Sequence, residues 1–186
     1  MRLVTERLIL REIKKTDLNE LVRNSNNKKI STGLIGVPYP YPKKEGIDWI
    51  NHAIKHSKKD PREEYVLTVS LKDDKKGKMI GEVILSEVEY DHMTANLVYW
   101  ISEDYQGKGY ATEAVHEIIK LGFEKLKLRR IEISAFATNS ASNAMAKKLG
   151  FKYEGTKRKA CFCEADGKIH DDNFYSLLDT EYFAKR

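Results

Sequence analysis

A glycine-bearing turn between a predicted strand and a predicted helix is the feature that most constrains how this chain folds. Residues 95–101 are almost all apolar, which predicts a central strand covered on both faces. Gly107 and Gly109 follow, and apolar residues then recur at helical spacing over residues 110–126. Alternation resumes at residues 130–137, so this part of the chain predicts a strand, a crossover helix and a second, parallel strand.

Antiparallel hairpins flank this unit on both sides. Period-2 alternation predicts further strands at residues 7–13, 65–70, 78–89, 151–162 and 170–178. Helical spacing predicts helices that begin near Thr16 and Ile47, and a short helix at residues 140–149 that ends at Gly150. The fold class is therefore α+β, with a mixed, mostly antiparallel sheet of about seven strands, about four flanking helices and a single parallel crossover.

Length and composition predict a single domain that stays in the cytoplasm. The chain has 186 residues, 41% of them hydrophobic, which fits one domain over residues 1–186. Its longest apolar run is residues 97–101, far shorter than the ~18 residues of a membrane span. Without such a span we expect no membrane partner. Charged residues such as Glu6 and Arg11 interrupt any secretory signal, so we expect the protein to stay in the cytoplasm. Cys161 and Cys163 are then expected to be reduced thiols.

The turn at residues 105–112 is a candidate anion site. Backbone N–H groups at the start of a helix lack intrahelical partners and together carry about half a positive charge. Gly107 and Gly109 have no Cβ atoms, so the backbone can approach a pyrophosphate closely. A dinucleotide fingerprint needs Gly or Ala where the chain has Thr112, and a nucleoside-triphosphate loop needs Gly-Lys-Ser or Gly-Lys-Thr. The alternative is a plain turn that uses its glycines for geometry alone.

Four stretches resemble the GCN5-related N-acetyltransferases, and in particular the branch that contains the ribosomal-protein N-terminal acetyltransferases. They read TERLILRE, VYWISEDYQGKGYATEA, NSASNAMAKKLGFKYEGT and HDDNFYSLL, and they occur in that order over nearly the whole chain. The acetyl-CoA loop of this family has the pattern Gln or Arg, x, x, Gly, x, Gly or Ala, which Gln106, Gly109 and Ala111 match. The resemblance implies that the strand before the loop splays from the next parallel strand.

The resemblance also implies acetyl-CoA as the co-substrate and indicates which residues bind it. The pyrophosphate would lie on the loop backbone, at Gln106, Gly107, Lys108, Gly109, Tyr110, Ala111 and Thr112. The pantetheine arm would bond along the strand edge, at Tyr99, Trp100, Ile101 and Ser102. Asn139 would contact the same arm from the start of the next helix, and its alternative role is to cap that helix. No metal is implied.

The implied reaction is direct attack of an amine on the thioester, without a covalent enzyme intermediate. Many members use a Tyr as general acid four residues before the Gly of the Gly-Phe pair, but this chain has Ala146 there. Ser142 matches a serine that this branch places near the thiolate, with a surface serine as the alternative. Asn96 stands where the branch often has an acid and can only orient a water, whereas Glu82 could act as a base through water or face solvent.

The acceptor is a primary amine, and the resemblance favours the α-amino group of a protein N-terminus. Relatives also acetylate polyamines, antibiotics and other small amines, and the loop at residues 31–44 and the terminal hairpin select among them. Family resemblance alone also allows a homodimer. The alternative from a different class is a basic RNA-binding module, because the net charge is +5 and aromatics make up 10%. No RNA-binding signature accompanies that charge, so we do not expect nucleic acid as a partner.

Two further clusters have ordinary structural explanations. His52 and His56 are one helical turn apart, but without a third ligand nearby in the sequence we predict no metal site. The basic run at residues 125–130 ends a helix, where cations interact favourably with the helix dipole. The alternative for that run is contact with the adenosine phosphate of the coenzyme or with RNA.

Overall fold

A single mixed sheet forms the centre of the molecule. The computed structural model describes residues 1–184, and within them eight strands form one sheet in the order β1-β2-β3-β4-β5-β6-β8-β7. The strands are β1 Arg2–Val4, β2 Leu8–Glu12, β3 Tyr65–Leu71, β4 Met79–Glu89, β5 Thr94–Ile101, β6 Arg130–Phe136, β7 Lys152–Cys163 and β8 Lys168–Leu178. In this described sheet β5 and β6 are parallel, and the other neighbours are antiparallel. The predicted α+β class and the single parallel crossover are confirmed.

Six helices surround the sheet in the part of the chain that the structure describes. They are α1 Leu18–Ser25, α2 Lys28–Ser31, α3 Lys43–His56, α4 Tyr110–Lys120, α5 Ser140–Lys148 and α6 Asp179–Phe183. A π-helical segment, Leu121–Lys125, extends α4 to nearly the predicted length. The sequence predicts the four longer helices but misses α2, α6 and β1, whose three to five residues are too few for a periodic signal. None of the described helices is long and apolar enough to cross a membrane.

Two hydrophobic clusters pack on opposite faces of the sheet. Successive residues of β4 point to opposite faces, so Val83 belongs to the first cluster and Ile84 to the second. Helix α4 covers the first face with Ile118, which has no exposed surface, and α3 covers the second with Ile50, which packs near Trp100. Burial of each large aliphatic side chain contributes about 1.5–3 kcal/mol. The turn between β5 and α4 is therefore held at both ends by anchored elements.

The strands β5 and β6 separate soon after they begin to pair. Their parallel pairing ends at Asn96↔Glu132, whereas β4 stays paired with β5 as far as Ile101. A wedge-shaped opening results, so the predicted splayed strand pair is confirmed. The prediction that β5 is covered on both faces is wrong at Val98, which is 39% exposed and lines this opening.

The residues between α2 and α3 form the predicted loop, and hydrogen bonds tie both of its ends to the N-terminal helices. Gly33 N–H donates to Ile30 O at 3.0 Å, and Tyr41 N–H donates to Asn26 Oδ1 at 3.1 Å. The sheet and its two clusters draw on strands from both ends of residues 1–184. The predicted domain bounds of 1–186 also include residues 185 and 186, which lie outside the described residues.

Candidate active site

A cleft of about 900 Å³ opens where β5 and β6 separate. Its walls come from β5, the turn before α4, the starts of α2 and α5, and the facing ends of β6, β7 and β8. The predicted site residues that line it are Asn96, Tyr99, Trp100, Ile101, Gln106, Gly107, Gly109, Tyr110, Ala111, Thr112, Asn139 and Ser142. Three predicted residues, Glu82, Ser102 and Lys108, lie outside its lining. The fold thus brings most of the predicted residues together around one opening.

The turn before α4 offers a row of free backbone donors. Gly107 and Gly109 adopt the left-handed region, with φ of 72° and 81°, and a Cβ added at Gly107 would meet no atom within 4 Å. Within residues 1–184, the backbone N–H groups of residues 107–112 donate to no protein acceptor. The dipole of α4, which begins at Tyr110, adds partial positive charge at the same place. These residues therefore fit a pyrophosphate group.

Arg7 and Glu113 hold this turn from behind. The Arg7 guanidinium donates to Lys108 O at 3.0 Å and to the Glu113 carboxylate at 2.6 Å, and the Thr5 hydroxyl donates to the same carboxylate at 2.6 Å. Burial acts to raise the pKa of Glu113, but these hydrogen bonds outweigh it and the pKa is lowered. Lys108 itself turns away from the cleft, because its Nζ donates to Asp104 O at 2.8 Å.

One edge of β5 is free beyond its pairing with β6. Ser102 N–H donates to Ile80 O at 2.8 Å, so Ser102 serves the pairing with β4 and not the cleft. Because main-chain groups alternate along a strand, those of Tyr99 and Ile101 face the opposite, open edge. Gln106 Nε2 donates to Ile101 O at 2.8 Å, which links the turn to this edge. Tyr99 and Ile101 therefore present main-chain groups to the open edge, whereas those of Trp100 and Ser102 are directed to β4. A role of this edge in binding the pantetheine arm stays a prediction.

Side chains also bridge the cleft between β5 and α5. The Tyr99 hydroxyl donates to Ser142 Oγ at 3.0 Å, and Asn139 Oδ1 accepts the Ser142 N–H at 3.1 Å as the cap of α5. Asn139 Nδ2 donates to Gly33 O at 3.4 Å on the opposite wall. Burial raises the pKa of Tyr99, so its phenol stays protonated and remains a donor. Ala146 is 1% exposed and brings no acid to this place.

Two carboxylates that the sequence analysis missed line the cleft where β5 and β6 part. A β-bulge in β4 gives Glu87 a positive φ of 50°, and its carboxylate accepts a hydrogen bond from Asn96 Nδ2 at 2.5 Å. Glu132 pairs with Asn96 in register and accepts from Arg130 Nε at 2.6 Å. Asn96 therefore lies between two acids. A break in the period-2 pattern of β4 near Glu87 is the sequence signal that could have indicated the bulge.

Glu82 lies behind the cleft wall and is 2% exposed. Its two carboxylate oxygens each accept an indole N–H at 3.0 Å, one from Trp49 of α3 and one from Trp100. Burial raises the pKa of Glu82 to about 7, and the two indole bonds only partly oppose this. Trp100 lines the cleft, so Glu82 is connected to the site only indirectly, by its hydrogen bond with the Trp100 indole. A direct role for Glu82 as a base through water stays a prediction.

The two cysteines are free thiols, as expected. Cys161 Sγ donates to Asp172 Oδ2 at 3.5 Å, and burial together with this carboxylate raises the pKa of the thiol. A thiol held in its protonated form is a poor nucleophile. The structure therefore gives no support to covalent catalysis at Cys161.

Comparisons with known proteins agree with this geometry. The Acetyltransferase (GNAT) domain family matches residues 7–152. The ribosomal-protein-serine acetyltransferase of Escherichia coli is 30% identical over 108 residues, which span 58% of this chain and 59% of that protein. The spermidine N(1)-acetyltransferase of Vibrio cholerae is 24% identical over 183 residues, 98% of this chain and 99% of that protein. The solved structure of RimL, a ribosomal α-N-protein acetyltransferase, in complex with coenzyme A shares the fold at a TM-score of 0.82, with 22% identity over 95% of this chain and 96% of that one.

The chain belongs to the GNAT acetyltransferase family, because the family match covers well over half of its length. The protein is therefore an N-acetyltransferase that uses acetyl-CoA as its co-substrate.

The ionisation of Glu82 predicts a pH-dependent tryptophan signal. Trp49 and Trp100 are the two tryptophans of the chain, and both donate to this carboxylate. We expect their fluorescence to change with a midpoint near pH 7 and the change to be absent in Glu82→Gln. The folded pKa lies above the unfolded 4.5, so stability relative to this variant falls by about 3 kcal/mol as pH rises from 4.5 to 7.

A matched control is needed because His52 stacks on Trp49 at 5.6 Å and is itself ionisable. His52→Gln should keep the transition. A transition that disappears in His52→Gln but persists in Glu82→Gln would contradict the assignment.

Proposed function

We propose that the protein transfers the acetyl group of acetyl-CoA to the α-amino group of a protein N-terminus. One observation carries this proposal: a single cleft has free backbone donors at one end and two carboxylates, Glu87 and Glu132, at the other. The six residues of β5 from Asn96 to Ile101 make five steps of 3.3–3.4 Å, so these ends are about 17 Å apart. The donor end suits an anionic coenzyme, and the acidic end suits a cationic amine.

The coenzyme arm is proposed to run along the open edge of β5. The pyrophosphate would rest on the N–H groups of residues 107–112. The amides of the pantetheine arm would bond the main-chain groups of Tyr99 and the N–H of Ile101, since Ile101 O already accepts from Gln106. This orientation points the thioester toward the place where Tyr99, Ser142 and Asn139 bridge the cleft. The resemblance to the family and the free edge both support it.

The proposed chemistry is attack of the neutral amine on the thioester carbon, followed by departure of the CoA thiolate. Glu87, which Asn96 holds in place, would take the proton of the arriving ammonium. Ser142 would donate a hydrogen bond to the departing thiolate, and the second proton that the amine nitrogen loses on forming the amide would convert this thiolate to free CoA thiol. A serine hydroxyl has one proton, and because Tyr99 already donates to Ser142 Oγ, that proton is free to point into the cleft. Tyr99 is thus a positioning residue, and Glu82 positions Trp100.

The balance of charges in the cleft favours an acceptor with one ammonium group. Among the described residues that line it, the acids are Glu87 and Glu132, and the bases are Lys29, Lys148 and Lys157. A polyamine carries several ammonium groups and would meet more lysines than carboxylates. The similarity to a ribosomal-protein-serine acetyltransferase supports a protein acceptor, and the similarity to a spermidine acetyltransferase keeps the polyamine as the second candidate. A cytoplasmic location and a homodimer stay predictions.

Substitution Gly109→Trp tests the proposed pyrophosphate site. A Cβ at Gly109 would lie 3.2 Å from the Arg7 guanidinium, and the φ of 81° disfavours any side chain there. The indole would therefore displace Arg7 and distort the turn, so acetyl-CoA should no longer raise the melting temperature. For the natural protein, acetyl-CoA at ~100 times its Kd stabilises by about 2.7 kcal/mol, a shift of roughly 5–11 °C. Gly167→Trp is the matched control, because Gly167 also has a positive φ, 69°, and lies at the turn between β7 and β8.

The control should keep the acetyl-CoA shift. The same shift in Gly109→Trp would contradict the assignment of the turn as the pyrophosphate site. For the natural protein, a shift with a short RNA but none with acetyl-CoA would favour the RNA-binding alternative.

Removal of the Tyr99 hydroxyl tests its role toward Ser142. We expect Tyr99→Phe to lower kcat about 10-fold and Ser142→Ala about 100-fold, with little change in the KM for acetyl-CoA. Because both act through one hydroxyl, the double variant should match Ser142→Ala alone. Tyr153→Phe, at an exposed tyrosine of β7, is the matched control and should have normal kcat. Additive losses in the double variant would show that the two hydroxyls act independently.

The acceptor class is tested by mass spectrometry of the products. We expect a peptide that begins with Ser to be acetylated once, at its α-amino group, and the same peptide with a blocked N-terminus to remain unchanged. Spermidine should be a poor acceptor. Glu87→Gln should raise the KM for the peptide about 10-fold, since one attractive charge is worth about 1.4 kcal/mol in the cleft, and should also lower kcat because the proposed base is lost. Preferential acetylation of spermidine would contradict the proposed protein acceptor and favour a polyamine as the acceptor.

A further inference from the structure

Three side chains that bind metals elsewhere converge on the outer side of α3, away from the cleft lining. His52 and His56 lie one turn apart on the same side of the helix, and their rings approach to 3.9 Å between centroids. Glu64, immediately before β3, supplies the third group that the local sequence around α3 lacks. Its Oε2 lies 2.8 Å from His52 Nε2 and 3.5 Å from His56 Nδ1. All three donor atoms lie within 4.8 Å of one another.

Two of the three separations between donor atoms are close to those between the ligand atoms of a metal site. Zinc bonds imidazole nitrogen at about 2.0–2.1 Å and carboxylate oxygen at about 2.0–2.2 Å, so ligand atoms of a tetrahedral site stand about 3.4 Å apart. The separations of 2.8 and 3.5 Å need only small rotations of the side chains to reach that value. The side chain of Glu64 is 13% exposed and that of His52 is 42% exposed. A fourth coordination position of a bound ion would therefore face water.

We propose that His52, His56 and Glu64 form a binding site for one divalent transition metal of the zinc, nickel or copper type. Two imidazoles and one carboxylate suit these ions, whereas magnesium and calcium prefer oxygen ligands throughout. The ion would replace the hydrogen bonds between Glu64 and the two histidines and would tie α3 to the start of β3. Acetyl transfer does not depend on it.

A second cluster, Cys163, Asp166 and His170, also places three donor atoms within 4.8 Å of one another. Its thiol belongs to a fully buried residue, and its carboxylate already accepts bonds from His170 at 2.9 Å and from Lys168 N–H at 3.0 Å. The thiol is therefore enclosed, although the side chains of His170 and Asp166 are 18% and 22% exposed at the end of the β7–β8 hairpin. It provides the matched control for the first cluster.

Tryptophan fluorescence tests the proposal directly, because Trp49 stacks on His52 at 5.6 Å. Full-length, tag-free protein freed of metal with a chelator is titrated with nickel chloride, and zinc chloride is measured by calorimetry. We expect saturable quenching with one nickel ion per chain at micromolar concentration, one matching zinc site, and no response to magnesium chloride. His56→Gln and Glu64→Gln should each weaken binding at least 10-fold.

The control variant His170→Gln should bind as the natural protein does. Unchanged nickel and zinc affinity in His56→Gln and Glu64→Gln would overturn the proposal, and so would loss of binding in His170→Gln. Far-UV circular dichroism and the melting temperature without metal establish that each variant is folded. Activity with acetyl-CoA, measured in the same preparations, should be equal with and without zinc, so failure of the metal site and failure of the proposed function are distinguishable.

Discussion

The site exists because β5 pairs with β4 along its length but with β6 over only three residue pairs. The pairing with β4 and the burial of alternate side chains hold β5 in place, while the departure of β6 leaves its other edge without a strand partner. Unpaired main-chain groups are costly when buried and useful when they meet a ligand. The same divergence opens the cleft, and the length of β5 separates its two chemically different ends, Asn96 and the turn at Gly107.

Hydrogen bonds add to the apolar packing between the two walls of the cleft, where Tyr99 of β5 and Met145 of α5 border one hydrophobic cluster. Tyr99 reaches Ser142 from β5, and Asn139 reaches Gly33 from the start of α5. Each such bond contributes only about 0.5–1.5 kcal/mol, so the walls can adjust without loss of the sheet. The turn before α4 is held differently, by the ionic contact of Arg7 with Glu113. The turn at the coenzyme end is therefore held by contacts that lie outside the cleft.

Local patterns predicted the sheet, the crossover and the glycine turn, because periodicity and glycine conformation are properties of neighbouring residues. They did not reveal the partners of the site residues. Tyr99 and Ser142 are 43 positions apart, and Glu82 meets Trp49 across 33 positions. Glu82 is buried because α3 packs over it, and the residue pattern of β4 carries no information about α3. Short elements such as β1 were missed because three residues carry no periodic signal.

The buried carboxylate of Glu82 makes the protein a mixture at neutral pH. With a pKa of about 7, charged and uncharged forms are present in comparable amounts. One form has a full negative charge directly behind Trp100 in the cleft wall, and the other has none. A substrate that binds one form more tightly draws the mixture toward it, so its binding is accompanied by uptake or release of protons. The heat of binding would then depend on the ionisation enthalpy of the buffer.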